Sequence, residues 1–152
     1  MPPLPGPIEK QGAGLLFTSE QHVLLLKRAN TKHNLGAWGL PGGNVEAGDE
    51  SLLATAVREA VEEVGVLPPF TISGEIKTVR GKRGQKHFTV FIATLLPEDR
   101  QAWTPVLNHE HSEFQWYPVP GLCAGTLPLH PVVDKLFRQG ELPLGLVGVA
   151  PP

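Results

Sequence analysis

The stretch from Gly42 to Val66, GGNVEAGDESLLATAVREAVEEVGV, constrains this 152-residue chain more than any other. It follows Pro41, and a Pro-Gly-Gly turn cannot extend a helix but lets backbone approach a ligand closely. Ser51, or equally Asp49, is placed to cap a helix that starts just beyond it. Leu52, Leu53, Ala56, Val57, Ala60, Val61 and Val64 then form one broad apolar face, and Gly65 with Pro68-Pro69 stops the helix. On that helix Glu59, Glu62 and Glu63 stand at i, i+3 and i+4. At ~100° per residue they fall within an arc of about 100°. Like charges this close repel, so the spacing predicts a cation among them. An all-oxygen donor set suits Mg²⁺ or Mn²⁺ rather than zinc.

The flanking sequence predicts strands on both sides. Gly12 to Phe17 and His22 to Lys27 are short apolar runs joined by a turn over Thr18 to Gln21. Arg28 to Leu40 is a polar, Gly-containing loop that re-enters the core at Trp38. Phe70 to Val79 and His87 to Leu96 read as strands about a turn from Arg80 to Gly84, and the second is rich in β-branched and aromatic residues. A loop holds Pro97 to Glu110. Glu113 to Val119 alternates like a strand with Phe114 and Trp116 on one face, and His130 to Gln139 reads as a second helix with Pro131 in its first turn. Strands, helix, strands, helix predict an α/β (α+β) domain with a mixed sheet sandwiched between helices.

Residues 1–10 form a Pro-rich arm, residues 11–140 a single domain and residues 141–152 an apolar Pro/Gly tail. That tail is free to pack on the domain, to self-associate or to stay disordered. A net charge of −2 excludes recognition of nucleic acid by whole-protein charge. Cys123 is the one cysteine, so no internal disulfide forms. With no secretory pattern at the N-terminus and no apolar run of membrane-spanning length, the chain reads as cytoplasmic, without a membrane partner.

The residues around the helix resemble the Nudix hydrolases, whose pattern is G-x5-E-x7-R-E-U-x-E-E-x-G-U, with U a bulky aliphatic residue. Arg58-Glu59-Ala60-Val61-Glu62-Glu63-Val64-Gly65-Val66 matches its second half, with Ala60 small for its U position. The first half carries one residue too many between Gly43 and Arg58. Either Asp49 stands in for the first Glu, or Glu50 is that Glu. The resemblance runs from about Gly12 to Gln139 and implies the Nudix fold.

By this resemblance Glu59 and Glu63 are direct ligands of Mg²⁺ or Mn²⁺, Glu62 is a ligand directly or through water, and the Gly43 carbonyl is a further ligand. Arg58 orients the helix carboxylates. The resemblance also implies catalytic roles for Glu62 and Glu63 and for a later acid, Glu110, six residues before Trp116; Glu113 is the runner-up. Arg28 matches a phosphate-contacting position, and Trp38 either stacks on a base or fills the core. Lys77, Arg80, Lys82, Arg83 and Lys86 make a basic hairpin, read first as a solvated turn. The histidines have no zinc spacing.

The implied activity is hydrolysis of a nucleoside triphosphate, or a related nucleoside diphosphate derivative, to a monophosphate and pyrophosphate, as in MutT-type enzymes, some of which sanitise the nucleotide pool. Two readings stand beside it. One is another diphosphate substrate, such as an RNA 5′ end, a capped nucleotide or a sugar nucleotide. The other is a non-catalytic nucleotide-binding module. The sequence leaves the oligomeric state open, a homodimer included.

Overall fold

A computed structural model describes residues 7–149 of the chain. Most of the expected N-terminal arm and the last three residues lie outside the described residues.

The expected mixed sheet between helices is present. Its seven strands are β1 (Lys10–Ser19), β2 (His22–Arg28), β3 (Trp38–Gly39), β4 (Gly42–Asn44), β5 (Thr71–Arg80), β6 (Lys86–Thr94) and β7 (His111–Pro118). The main path runs β3-β2-β1-β6-β5, with β4 paired to β1 and β7 to β2. β1 and β6 run parallel in continuous register from Lys10–Lys86 to Thr18–Thr94, and the other pairings are antiparallel. β1 is buried on both faces, which is why its sequence reads as a continuous apolar run rather than an alternation.

The helices are α1 (Leu52–Val64), α2 (Pro97–Ala102), α3 (Val119–Ala124) and α4 (Pro131–Phe137). On one face of the sheet, Ala56, Ala60 and Val64 of α1 pack on Ala13, Leu15, Phe17, Leu24 and Leu26. On the other, Val132, Val133, Leu136 and Phe137 of α4 and Leu122 of α3 pack on Leu16, Val23, Leu25, Val90 and Ile92. The tail joins this second core. Leu142 and Val147 are buried in it, and Leu144, Leu146 and Val149 pack against it around a 3₁₀ turn over Leu144–Val147. Among the described residues no helix is long and apolar enough to cross a membrane.

Several expected boundaries move for identifiable reasons. The first hairpin turn is only Glu20-Gln21, both at positive φ (51° and 63°). This is the two-residue geometry whose twist matches the flanking strands, and it lets β1 run on through Ser19. The expected loop after β6 contains α2, which starts on Pro97 and carries Glu98 and Asp99 in its first turn. His130, expected as the first residue of α4, instead caps it, with its Nδ1 accepting from the Val132 N–H. On α1, Val61 is 47% exposed while Glu63 is 3% exposed, so the buried stripe is rotated from the expected apolar face toward the carboxylates.

Candidate active site

Ser51 Oγ caps α1 by accepting from the Ala54 N–H at 3.0 Å. Asp49 is thereby free for another task and settles between the loop and the helix. Its Oδ1 accepts from Arg58 Nε and its Oδ2 from Arg58 Nη2, both at 2.9 Å, a two-pronged contact matched to the planar guanidinium. Oδ2 also accepts from Thr55 Oγ1 and from the Glu46 N–H. The Arg58 hydrogen bonds, followed by those from Glu46 and Thr55, hold the Asp49 carboxyl well below the usual carboxylate range. Asp49 in turn holds the Arg58 guanidinium above its ordinary value. The extra residue in the loop is thus absorbed by a shorter acid set one position early, while Glu50 is exposed and makes no ion pair among the described residues.

From that anchor Arg58 reaches forward. Its Nη1 donates to Glu59 Oε1 at 3.0 Å and to Glu62 Oε1 at 3.4 Å, and its Nη2 to the Asn44 carbonyl. Glu59 therefore faces one way under the control of a cation fixed from behind. Gly43 lies directly across from it. A methyl group added at Gly43 would overlap the Glu59 carboxyl group and push it from this position. The Gly43 carbonyl oxygen lies against Gly12 of β1.

One turn along, Glu63 points into the protein. Its Oε2 accepts from the Gly42 N–H at 2.9 Å, and its Oε1 lies 3.7 Å from His111 Nδ1. Burial pushes the Glu63 carboxyl up to about 9, with the charges of Glu110 and Glu59 adding to the rise and the Gly42 N–H and Arg28 opposing it. Glu59 is raised too, by burial first and then by Glu62 and Glu110, against the pull of Arg58. His111 is lowered to about 4 by burial and then by Arg28. Its Nδ1 has no hydrogen-bond partner among the described residues. Burial and crowding disfavour the ionised form of both glutamates, and their donor atoms are oxygen. Both facts fit a hard divalent cation.

Glu110 reaches the same place from a distant loop. One oxygen of Glu63, one of Glu110 and one nitrogen of His111 lie within 4.8 Å of one another. Four hydrogen bonds hold the loop. Asn108 Nδ2 donates to the Glu62 carbonyl, and Asn108 Oδ1 accepts from the Glu110 N–H. The Ala29 N–H donates to the Glu110 carbonyl, and Asn30 Nδ2 to that of His109. A cleft of about 340 Å³ is lined by Glu59, Glu63, Glu110, Gly42, Gly43 and Arg28, with Thr31, Asn44 and Glu46 at its edges. It shares Arg28 and residues 42–44 with a larger cleft of about 510 Å³.

The structure therefore brings together Gly43, Glu59, Glu63, Glu110 and Arg28, with Arg58 behind them. It leaves three of the sequence-predicted residues outside. Glu62 lies on the solvent side of Arg58, its side chain 55% exposed, and lines neither cleft. Trp38 is buried and packs edge-on to Tyr117 at 5.2 Å between ring centroids, so its ring fills the core and does not face the cleft. Glu113, the runner-up to Glu110, pairs with Lys27 at the surface. Sequence reasoning missed the latch at Asn108, for which no signal existed. It also missed the buried contact of His111 with Glu63, although its place next to Glu110 could have suggested it.

Residues 9–139 match the family profile described as the NUDIX domain. A relative from Cronobacter sakazakii, described as "Uncharacterized Nudix hydrolase NudL", is 32% identical over 126 residues, covering 82% of this chain and 51% of that protein. The 8-oxo-dGTP diphosphatase of Escherichia coli is 26% identical over 128 residues, covering 82% of this chain and 93% of that one. The crystal structure of a MutT protein from Methanosarcina mazei superposes with a TM-score of 0.63 at 25% identity, covering 86% of this chain and 91% of that one. The chain spans about half the length of several of the curated relatives it matches.

Proposed function

Since the chain belongs to the Nudix hydrolase family, we propose that it cleaves a nucleoside triphosphate to the monophosphate and pyrophosphate with Mg²⁺ or Mn²⁺. The observation that carries this reading is the convergence of Glu59, Glu63 and Glu110 on one cleft, where burial and neighbouring carboxylates raise the pKa of Glu59 and Glu63. The Escherichia coli relative's name, a diphosphatase of an oxidised nucleoside triphosphate, supports the substrate class. A cytoplasmic setting and a nucleotide-pool role go with it.

Glu59 and Glu63 would hold the cation, with Gly43 across from Glu59. When bound, the cation would neutralise the polyphosphate and polarise the anhydride. Arg58 keeps Glu59 aimed, and the Gly42 N–H keeps Glu63 aimed. Arg28, on the shared rim of both clefts, contacts a phosphate oxygen. Glu110 makes no side-chain hydrogen bond among the described residues while its backbone is latched. It is the carboxylate free to orient the attacking water and to take its proton.

The test is a panel of nucleoside triphosphates and nucleoside diphosphate derivatives incubated with Mg²⁺, the products separated by chromatography. Monophosphate and pyrophosphate are expected, and a folded E63Q or E110Q chain should lose on the order of 100-fold or more in turnover. Release of a nucleoside diphosphate and orthophosphate would refute the bond assignment. Full activity of E110Q would remove Glu110 from the mechanism.

A further inference from the structure

The hairpin read from sequence as a solvated turn has two different parts. Lys82 and Arg83 are at its tip, and Arg83 pairs with Glu9 at 3.1 Å. Arg80 and Lys86 flank the tip within the sheet. Lys86 lies in register with Arg80 on one side and with Lys10 of β1 on the other. Three cations thus form a row across three adjacent strands, each strand about 4.8 Å from the next. Like charges directly opposite one another weaken a sheet. None of the three joins an ion pair among the described residues, and the nearest acid in sequence, Glu9, is committed to the hairpin tip. Arg80 Nε is shut off from solvent and has no hydrogen-bond partner among the described residues.

All three residues line the larger cleft, together with Arg28, and among the described residues no carboxylate lines it. Its remaining walls include Phe88, Leu40 and Val132, which offer apolar contact to a base or sugar. The two clefts meet at Arg28 and residues 42–44. A molecule with its anhydride at the carboxylates thus has room to extend its nucleoside past Phe88 toward the row. The field there is positive enough that Arg28 and Arg80 help burial lower His130 to about 4.

Resting on the function proposed above, we propose that Lys10, Arg80 and Lys86 form a second phosphate subsite for a group on the ribose, beyond the anhydride that is cleaved. The preferred substrate then carries phosphate at both ends of the nucleoside. That phosphate belongs either to a mononucleotide phosphorylated at the 3′ position or to the next link of an RNA chain.

Binding is measured first, by calorimetry on the full chain in EDTA, so that no hydrolysis is needed. Adenosine 3′,5′-bisphosphate is compared with adenosine 5′-monophosphate, and the guanosine pair likewise. The bisphosphate should bind at least tenfold more tightly in one or both pairs. R80Q/K86Q, checked for an unchanged melting profile, should bring the ratio close to one. Equal affinities, no detectable binding of either member of both pairs, or a preference that survives R80Q/K86Q would each overturn the subsite.

Turnover with Mg²⁺ is then compared for adenosine triphosphate, its 3′-phosphorylated form and a 5′-triphosphorylated trinucleotide RNA. A higher kcat/KM for the mononucleotide form identifies a small substrate, and a gain confined to the trinucleotide identifies RNA. Tight bisphosphate binding with no hydrolysis of any substrate would sink the proposed function and leave the subsite standing. Hydrolysis with no bisphosphate preference would do the reverse.

Discussion

Replacing Glu63 by glutamine should stabilise the metal-free protein while abolishing its activity. The unfolded chain ionises this residue near 4.5, whereas the folded chain holds its proton up to about 9. Between those values the fold binds the extra proton, so stability falls as pH rises through that window. At pH 7 the unfolded state has about 2.5 pH units of ionisation in its favour. At ~1.4 kcal/mol per unit this amounts to about 3 kcal/mol. Glutamine is nearly isosteric and neutral, and its carbonyl can still accept from the Gly42 N–H. E63Q in EDTA should therefore gain up to about 3 kcal/mol at pH 7, or roughly 6–12 °C in melting temperature for a chain of this size. The gain should fade toward pH 4.5. Added Mg²⁺ should reverse the order, because cation binding favours the ionised carboxylate and E63Q has none to offer. The assay is urea or thermal unfolding of both chains from pH 4.5 to 8, with EDTA and with Mg²⁺. A pH-independent difference in EDTA, or an E63Q chain less stable than the parent at pH 7, would refute the reasoning.

Three further outcomes are expected. D49N should loosen Arg58 and with it Glu59, lowering both turnover and melting temperature at pH 7. The difference in melting temperature should shrink as pH falls below about 4, where the aspartate of the unfolded chain takes up a proton while the folded one still holds its charge. N108A should cut the latch between the Glu110 loop and the end of α1, so that turnover falls several-fold at unchanged metal affinity in steady-state kinetics. W38A should cost about 3–5 kcal/mol in urea unfolding, as a large buried ring does, and the conservative W38F should keep the KM of the parent. A raised KM in W38F would return Trp38 to the cleft.

The central helix was legible because its cap, its stop and its apolar repeat all point to one element. The strands were legible because both faces of the sheet are covered, which keeps apolar runs intact. One expectation from spacing alone came out differently in three dimensions. The arc of three carboxylates is a correct statement about α1 by itself, but the packing of the helix decides which part of that arc is inside. The sheet lies under Glu63 and leaves Glu62 in water, and no count of residues along one helix contains that information. Trp38 shows the same limit, since its neighbour Tyr117 is 79 positions away in sequence and sets the ring's place. Of Asp49 and Glu50, it is Asp49 that bonds Arg58, through contacts that span the loop and the helix. The row of Lys10, Arg80 and Lys86 exists only through register across three strands.

The first hairpin is barely one. β1 and β2 pair at only Thr18–Val23 and Ser19–His22, and then part company. β1 takes its long partner from β6, and β2 from β7, both in the second half of the chain. On a ribosome adding about 5–20 residues per second, the apolar residues 15–17 wait roughly 4–15 s from their own synthesis until residue 94 is made. The loop-closure cost of that delayed parallel pairing falls on the folding rate. The two strands that contribute Lys10 and Arg28 to the clefts thus spend longest without their main partners, as sticky chain within reach of chaperones and of other unfinished copies.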